Sequence, residues 1–529
     1  MPKMPLPSTP DLSARKHAAD TLAPGKALLA AGQYTAALKV FRAAAKADPH
    51  DIEAHRFVGL ALNNLKRHEQ ALVAFATALA LDDTRADLNN DYGFTLRMLD
   101  RYHEAITAYQ KAIEIQPGYA EAHSNLGGAL VIFSKFEVAA EHYRKALDLM
   151  RSLPVYAGGV HLPLFARAEL GLATCLMQMG DNESAASLCR AALKRNEASL
   201  HLLDLLIMLP TTKPDAALLD RLDRVGHSIR KERDAAGMQH FHLVRAAAMD
   251  KLGRYKDAWD DIETARGKER QRKQRSYTSS AEKYSRILEA ARSTPLEDGD
   301  AHSFAAAASG PVPLFIIGPS RSGKTTLEWL LSTQLSLVRG YEHDVVDDAI
   351  RRSRGENIAA PSRPLGTLNQ SECAAFRENF QRLIIERAAG AQLVTSTLPK
   401  RIEDAILVAR HIPNARFVFV TRDIDDLTLR IYMRNYQSDF DFVGSVATIK
   451  HYLGCFEEMS TVLQKRLGAR AITVSYEDIV ADPAAAISRV ASLCGVSRRA
   501  DAVPIPVVGD DRGCAAAYLD WLRTEASPR

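Results

Sequence analysis

The sequence predicts a multidomain protein, an all-α helical solenoid followed by an α/β domain whose parallel sheet is wrapped by helices. Three observations carry this expectation. Positions 17–150 repeat at a fixed spacing, the second half alternates short apolar runs with helical patterns, and a glycine-bounded loop joins the first such run to the first such helix. The expected boundaries are a disordered lead-in over 1–16, a solenoid over 17–262, a helical segment and linker over 263–311, and the second domain over 312–529.

The repeat has a period of 34 residues. Gly59, Gly93 and Gly127 fall in register, as do Tyr34, His68, Tyr102 and Phe136. Ala37, Ala71, Ala105 and Ala139 follow, then Phe41, Phe75, Tyr109 and Tyr143, then Ala44, Ala78, Ala112 and Ala146. Small residues let two helices approach and the aromatics fill the space beside them. Turn signals at Pro49, Asp83 and Pro117 close the units. The pattern resembles tetratricopeptide repeats. Residues 151–165 read as an insertion, Gly171 with Ala185 and Ala186 as a degenerate unit, and Gly253, Arg254, Tyr255 and Ala258 as a last one. Stacked helical pairs leave a concave groove suited to an extended peptide or a partner helix, the alternative being a spacer or assembly arm.

Composition sets the remaining bounds. Hydrophobic content of 47% and charged content of 25% over 529 residues are those of a soluble globular chain. A net charge of +4 does not argue for nucleic acid, and the Arg/Lys cluster after Thr264 reads as a solvated helix face. No run of about eighteen apolar residues predicts a membrane span. The first residues lack the apolar core of a secretory signal. Six scattered cysteines without a Cys-x-x-Cys pair read as reduced thiols of a cytoplasmic protein. The histidines show no metal-ligand spacing, and no metal is expected.

Chemistry concentrates in the stretch PLFIIGPSRSGKTTLEWLL, residues 313–331. Leu314–Ile317 predicts a buried parallel strand, and Leu327, Leu330 and Leu331 recur at helical spacing. Gly318-x4-Gly323-Lys324-Thr325 between them fits a phosphate-binding loop of Walker A type. Loop amides and the positive helix end would face one anion, with Arg321 and Lys324 adding full charges. Strands are then predicted at Leu393–Ser396, Arg416–Thr421 and Ala471–Ser475. Helical patterns span Arg401–His411, Leu427–Tyr436, Ser445–Leu467 and Pro483–Cys494. Ligands of such a sheet sit at its carboxyl strand ends, here Gly318, Ser396, Thr421–Arg422 and Tyr476.

Taken together, these motifs resemble bacterial tetratricopeptide-repeat sulfotransferases, a family related to the protein-tyrosine sulfotransferases. Arg321-Ser322-Gly323 with Thr325 is similar to that family's 5′-phosphosulfate loop. Ala415-Arg416-Phe417 through Arg422-Asp423, with Asp426, resembles its 3′-phosphate motif, and Ser475-Tyr476-Glu477-Asp478 resembles a late tyrosine–glutamate motif. The resemblance implies a sulfotransferase-type α/β P-loop parallel-sheet domain after a tetratricopeptide-repeat solenoid. It implies 3′-phosphoadenosine 5′-phosphosulfate as donor and a hydroxyl acceptor, protein tyrosine among those allowed, with a polypeptide held by the repeats. Ser320, Arg321, Ser322, Gly323, Lys324, Thr325 and Thr326 would hold the 5′ end of the donor, and Arg422, Arg430 and Tyr476 the 3′ end. Arg321 and Lys324 would act in catalysis with Glu342 as base, in Gly340-Tyr341-Glu342-His343, and His343 as its rival. The chain departs from the family in having Lys324 for threonine, Arg430 for serine and Thr397 for lysine, and its last residues carry no recognisable donor segment. The residues alone leave open a magnesium-dependent ATPase or kinase, which Lys324 favours, and a non-catalytic scaffold. An ion pair from Arg422 to Asp423, Asp425 or Asp426 is the alternative to phosphate binding.

Overall fold

The computed structural model describes residues 12–99, 101–133, 135–152, 162–267, 270–296, 310–340, 345–355, 364–434, 436, 441–505 and 509–526. The chain divides into two compact units, Met1–Gly180 and Asp181–Arg529.

The first unit is a tetratricopeptide solenoid. The aligned residues Tyr34, His68, Tyr102 and Phe136 are the first residues of the helices Tyr34–Ala47, His68–Leu81, Tyr102–Ile115 and Phe136–Arg151. Ala37, Ala71, Ala105 and Ala139 are fully buried. The aligned glycines are sites of close approach. A Cβ at Gly59 would stand 2.6 Å from the Phe75 ring, and one at Gly93 2.8 Å from Tyr109. Gly25 meets Phe41 in the same way and completes the glycine column in the first unit of the register. For that reason the first helix, Leu12–Ala30, reaches into the stretch expected as a lead-in: the helix Tyr34–Ala47 needs a partner to bury Phe41, and Leu22 and Gly25 supply it. The insertion expected over 151–165 lies mostly outside the described residues.

In the second unit a five-stranded sheet has the order β2-β3-β1-β4-β5, with every neighbouring pair parallel. Here β1 is Val312–Ile317, β2 Leu337–Val338, β3 Leu393–Ser396, β4 Arg416–Thr421 and β5 Ala471–Ser475. The two-residue β2 was not legible in the sequence. Side chains alternate across the sheet with period two. Phe315, Ile317, Phe417 and Phe419 enter one apolar cluster, while Leu314, Ile316, Val418, Val420 and Val474 enter another on the opposite face. From β1 the chain crosses to the β2 edge, returns through β3 beside β1, and then passes to β4 and β5 on the other side, so the connections diverge at the carboxyl end of β1, the switch point where open α/β sheets bind ligands.

Residues before the sheet domain belong to its core. Ala246, Met249, Trp259 and Ile262 of the last repeat, and Tyr277 and Ala291 of the helix Arg270–Ser293, share the cluster of Phe315 and Phe417. That helix is therefore a packed layer of the sheet domain, because its apolar side has the sheet's helices to bury against. The linker expected towards the end of 263–311 lies largely outside the described residues. Nor does the basic cluster begin as a solvated face. Arg266 is 1% exposed and donates from Nε and Nη2 to the Tyr432 carbonyl at 3.2 and 3.0 Å. Arg270 pairs with Glu263 at 2.6 Å. Both cations satisfy groups at the end of the helix Ile424–Tyr432, a placement that charge patterning alone does not reveal.

Candidate active site

The phosphate loop links β1 to the helix Lys324–Gln334. Arg321 and Gly323 adopt left-handed conformations, with φ of 69° and 96°. A left-handed arginine costs about 1–2 kcal/mol and is held in place here, since its carbonyl accepts from Arg422 Nη1 at 3.2 Å. Gly323 is required twice over: by its φ, and because a Cβ would lie 2.6 Å from Tyr476 Cδ2. Gly318 is similarly crowded, with a Cβ 2.7 Å from the Val420 carbonyl. Lys324 is buried and donates from Nζ to the Pro319 carbonyl at 3.1 Å, so its charge lies inside the loop. Ser322 Oγ is buried and has no hydrogen-bond partner among the described residues. No side chain caps the helix, whose first N–H groups therefore face the loop. Ser320 is partly buried, Arg321 and Thr325 exposed, and Thr326 partly buried. These residues lie together around one glycine-bounded loop at the carboxyl end of β1.

The second predicted centre also assembles. Arg422, Arg430 and Tyr476 come together, but what they meet is Asp511, in a tail segment that the sequence left unassigned. Arg422 Nη2 lies 3.0 Å from Asp511 Oδ1, and Arg430 Nε lies 3.2 Å from Asp511 Oδ2. Tyr476 donates its hydroxyl proton to Asp511, with the Gly509 carbonyl 3.0 Å from the same oxygen, and its ring lies under the Arg422 guanidinium at 4.2 Å. Burial works to raise the Asp511 pKa, but the Tyr476 hydrogen bond and the two arginines hold it below the usual carboxylate range. Of the three acids considered for Arg422, Asp426 is nearest at 3.8 Å; Asp423 instead caps the helix Ile424–Tyr432, and Asp425 pairs with Lys450 at 2.6 Å. Asp426 accepts from the Gly513 and Ala515 amides at 2.7 and 2.8 Å and so anchors the tail against the site. Glu477 accepts from the Asp423 amide at 3.1 Å, which gives the tyrosine–glutamate motif a positioning role. Arg422 Nε is buried and has no partner among the described residues.

Glu342, Tyr341 and His343 lie outside the described residues. The backbone that leads to them is firmly seated: the Gly340 amide donates to Thr395 Oγ1 at 2.9 Å, and Thr395 in turn donates to Glu328. Glu328, fully buried on the loop helix, pairs with Arg339 at 3.4 Å. Sequence reasoning missed this acid, whose only signal was a charge among the leucines of an apolar helix face. Thr397, at a family lysine position, is buried. Among the described residues no His/Cys/Asp/Glu cluster has metal-binding geometry.

Residues 313–500 match the family described as the sulfotransferase family. The chain carries a sulfotransferase-family domain. Tetratricopeptide repeats precede this domain, with matches over 22–86 and 84–152. The sulfotransferase domain thus contains the phosphate loop, both arginines of the second centre and Tyr476; the tail segment with Asp511 lies beyond the matched residues. Among solved structures, PilF of Pseudomonas aeruginosa is 22% identical over 41% of this chain and 93% of its own, with a TM-score of 0.34. A MamA protein is 23% identical over 34% and 92%, with a TM-score of 0.28. YrrB, described as a tetratricopeptide-repeat protein with an unusual peptide-binding site, is 19% identical over 37% and 93%, with a TM-score of 0.28. No curated protein matches significantly. No helix among the described residues is long and apolar enough to cross a membrane.

Proposed function

We propose that the protein is a sulfotransferase that moves a sulfuryl group from 3′-phosphoadenosine 5′-phosphosulfate to a hydroxyl acceptor. The supporting observation is the pairing of two cationic centres on strand ends around the switch point, within a sulfotransferase-family domain. The donor carries two separated anionic groups. The residues present fit it: Ser322 Oγ and Arg422 Nε, one in each centre, are buried polar atoms without partners among the described residues. Ser320–Thr326 would hold the 5′ end, and Arg422, Arg430 and Tyr476 would border the 3′ phosphate. The donor supplies an activated sulfuryl group. By analogy with phosphoryl transfer, the chain contributes alignment and charge: Lys324, Arg321 and the loop amides stabilise the negative charge that grows on the leaving phosphate. Glu342 is the base that the family resemblance suggests. The repeats of the first unit would bind a polypeptide, as acceptor or partner. Stacked helical pairs of this kind leave a concave groove of the sort that holds extended peptides. Protein tyrosine is one acceptor consistent with such a groove.

The test is thermal. Adenosine 3′,5′-bisphosphate in the presence of a chelator should raise the melting temperature. At a hundredfold excess over its Kd the stabilisation is about 2.7 kcal/mol. Lys324 makes ATP with magnesium the informative control. Stabilisation by ATP–magnesium and none by the bisphosphate would replace this reading with phosphoryl chemistry.

A further inference from the structure

A cavity of about 260 Å³ opens beside the phosphate loop, and one of its walls comes from the last repeats. Asp204 and Met208 of the helix Leu200–Met208 line it, with His240, Leu243, Val244 and Ala247 of the helix Ala235–Lys251. Ser320 and Arg321 of the loop face them, and Met433, Arg434 and Tyr436 complete the lining. Tyr436 donates to Ser320 Oγ at 2.7 Å, and Lys251 fixes the wall by donating to the Leu209 and Thr212 carbonyls at 2.7 and 3.1 Å. His240 Nε2 bonds Asp204 Oδ2 at 2.9 Å. With the carboxylate accepting, Nε2 carries the proton and Nδ1 keeps its lone pair. Neither Arg321 nor Arg434 forms an ion pair among the described residues. Arg266 holds Arg434 in place by donating to its carbonyl. The His201 ring lies 5.2 Å from His240.

We infer that this cavity is the acceptor site, and that His240, oriented by Asp204, takes the proton from the acceptor hydroxyl, in place of Glu342, the base that the family resemblance suggests. The inference rests on the sulfotransferase reading and assigns to the repeat half a part in the chemistry. The hydroxyl oxygen forms a bond to sulfur while the bond from sulfur to the 5′-phosphate oxygen breaks. The hydroxyl proton passes to His240 Nδ1, and the bisphosphate leaves with the electron pair. Arg321 and Arg434 offset the negative charge of the transferring group. The volume falls just below the roughly 300 Å³ at which pockets for drug-sized ligands begin. Five apolar side chains and one tyrosine contribute to the wall, so the acceptor is a hydroxyl on a ring-sized, largely apolar group. A longer chain would have to project out of the opening.

Full-length protein is assayed with the donor and either 4-nitrophenol or N-acetyltyrosinamide, while bisphosphate affinity is measured separately by calorimetry. Both probes should be sulfated. His240→Asn should lower kcat by ~10²–10⁴-fold, the range for a lost general base, with the bisphosphate Kd within about twofold. Ala247→Phe, which fills the cavity without touching the dyad, should raise acceptor KM at least about tenfold and spare kcat, in keeping with the loss of a pocket contact. Absence of bisphosphate binding overturns the sulfotransferase reading itself. Bisphosphate binding without turnover of either probe, or His240→Asn with wild-type turnover, overturns this inference alone.

Discussion

Arg422→Ala should weaken adenosine 3′,5′-bisphosphate roughly ten- to a hundredfold, with a smaller loss for adenosine 5′-phosphosulfate through the Arg321 carbonyl that Arg422 holds. The arithmetic is that of one charge-assisted hydrogen bond, about 1.5–3 kcal/mol, made only to the ligand with a 3′ phosphate. Asp511→Asn should act in the opposite direction and tighten the bisphosphate. The Asp511 carboxylate already stands between Arg422, Arg430 and Tyr476, so an incoming phosphate competes with it for the same donors. Because the folded state lowers the Asp511 pKa from 3.8, the carboxylate is ionised at neutral pH. Its contribution to stability is present above about pH 4 and fades as pH falls through the lowered value. Asp511→Asn should therefore cost stability at pH 7 and progressively less below pH 4. Calorimetry on both variants and on the double variant checks this. Equal losses for the two ligands in Arg422→Ala would make that residue purely structural. Unchanged affinity in Asp511→Asn would mean that the phosphate binds elsewhere.

Gly340→Ala should destabilise the second unit by about 3 kcal/mol or more, the upper range of overpacking costs. The added Cβ would stand 1.8 Å from the Thr395 carbonyl oxygen, which is backbone of β3 and has nowhere to move. Relief would require the Gly340 amide to leave Thr395 Oγ1, breaking the link to buried Glu328. Gly454→Ala is the control of opposite sign. Nothing lies within 4 Å of its added Cβ, and it sits inside the helix Val446–Leu467. Alanine there should be neutral or stabilising by up to ~1 kcal/mol. Urea unfolding of the two variants compares them directly. A small loss in Gly340→Ala would mean that the strand end is plastic. In that case the segment leading to Glu342 is not held as rigidly as the contacts indicate.

What the sequence determined by itself is what local spacing encodes. The 34-residue register marked the first residues of four helices, because each alanine and aromatic column recurs against the same neighbour. The apolar runs marked β1, β3, β4 and β5, and the Gly318–Gly323 bracket marked the phosphate loop, since only glycine tolerates the close approaches there. Tertiary structure alone decided the rest. Asp511 lies 89 residues beyond Arg422 and no spacing rule connects them, yet charge and burial bring the two to 3.0 Å. Asp204 and His240 belong to repeat helices whose sequence marks them only as polar positions. They become a dyad at the phosphate loop because the apolar side of the last repeats is buried in the core of the sheet domain. A periodic pattern states which face of an element is buried. It does not state which distant element will cover that face, and the candidate acceptor site was made by that second choice.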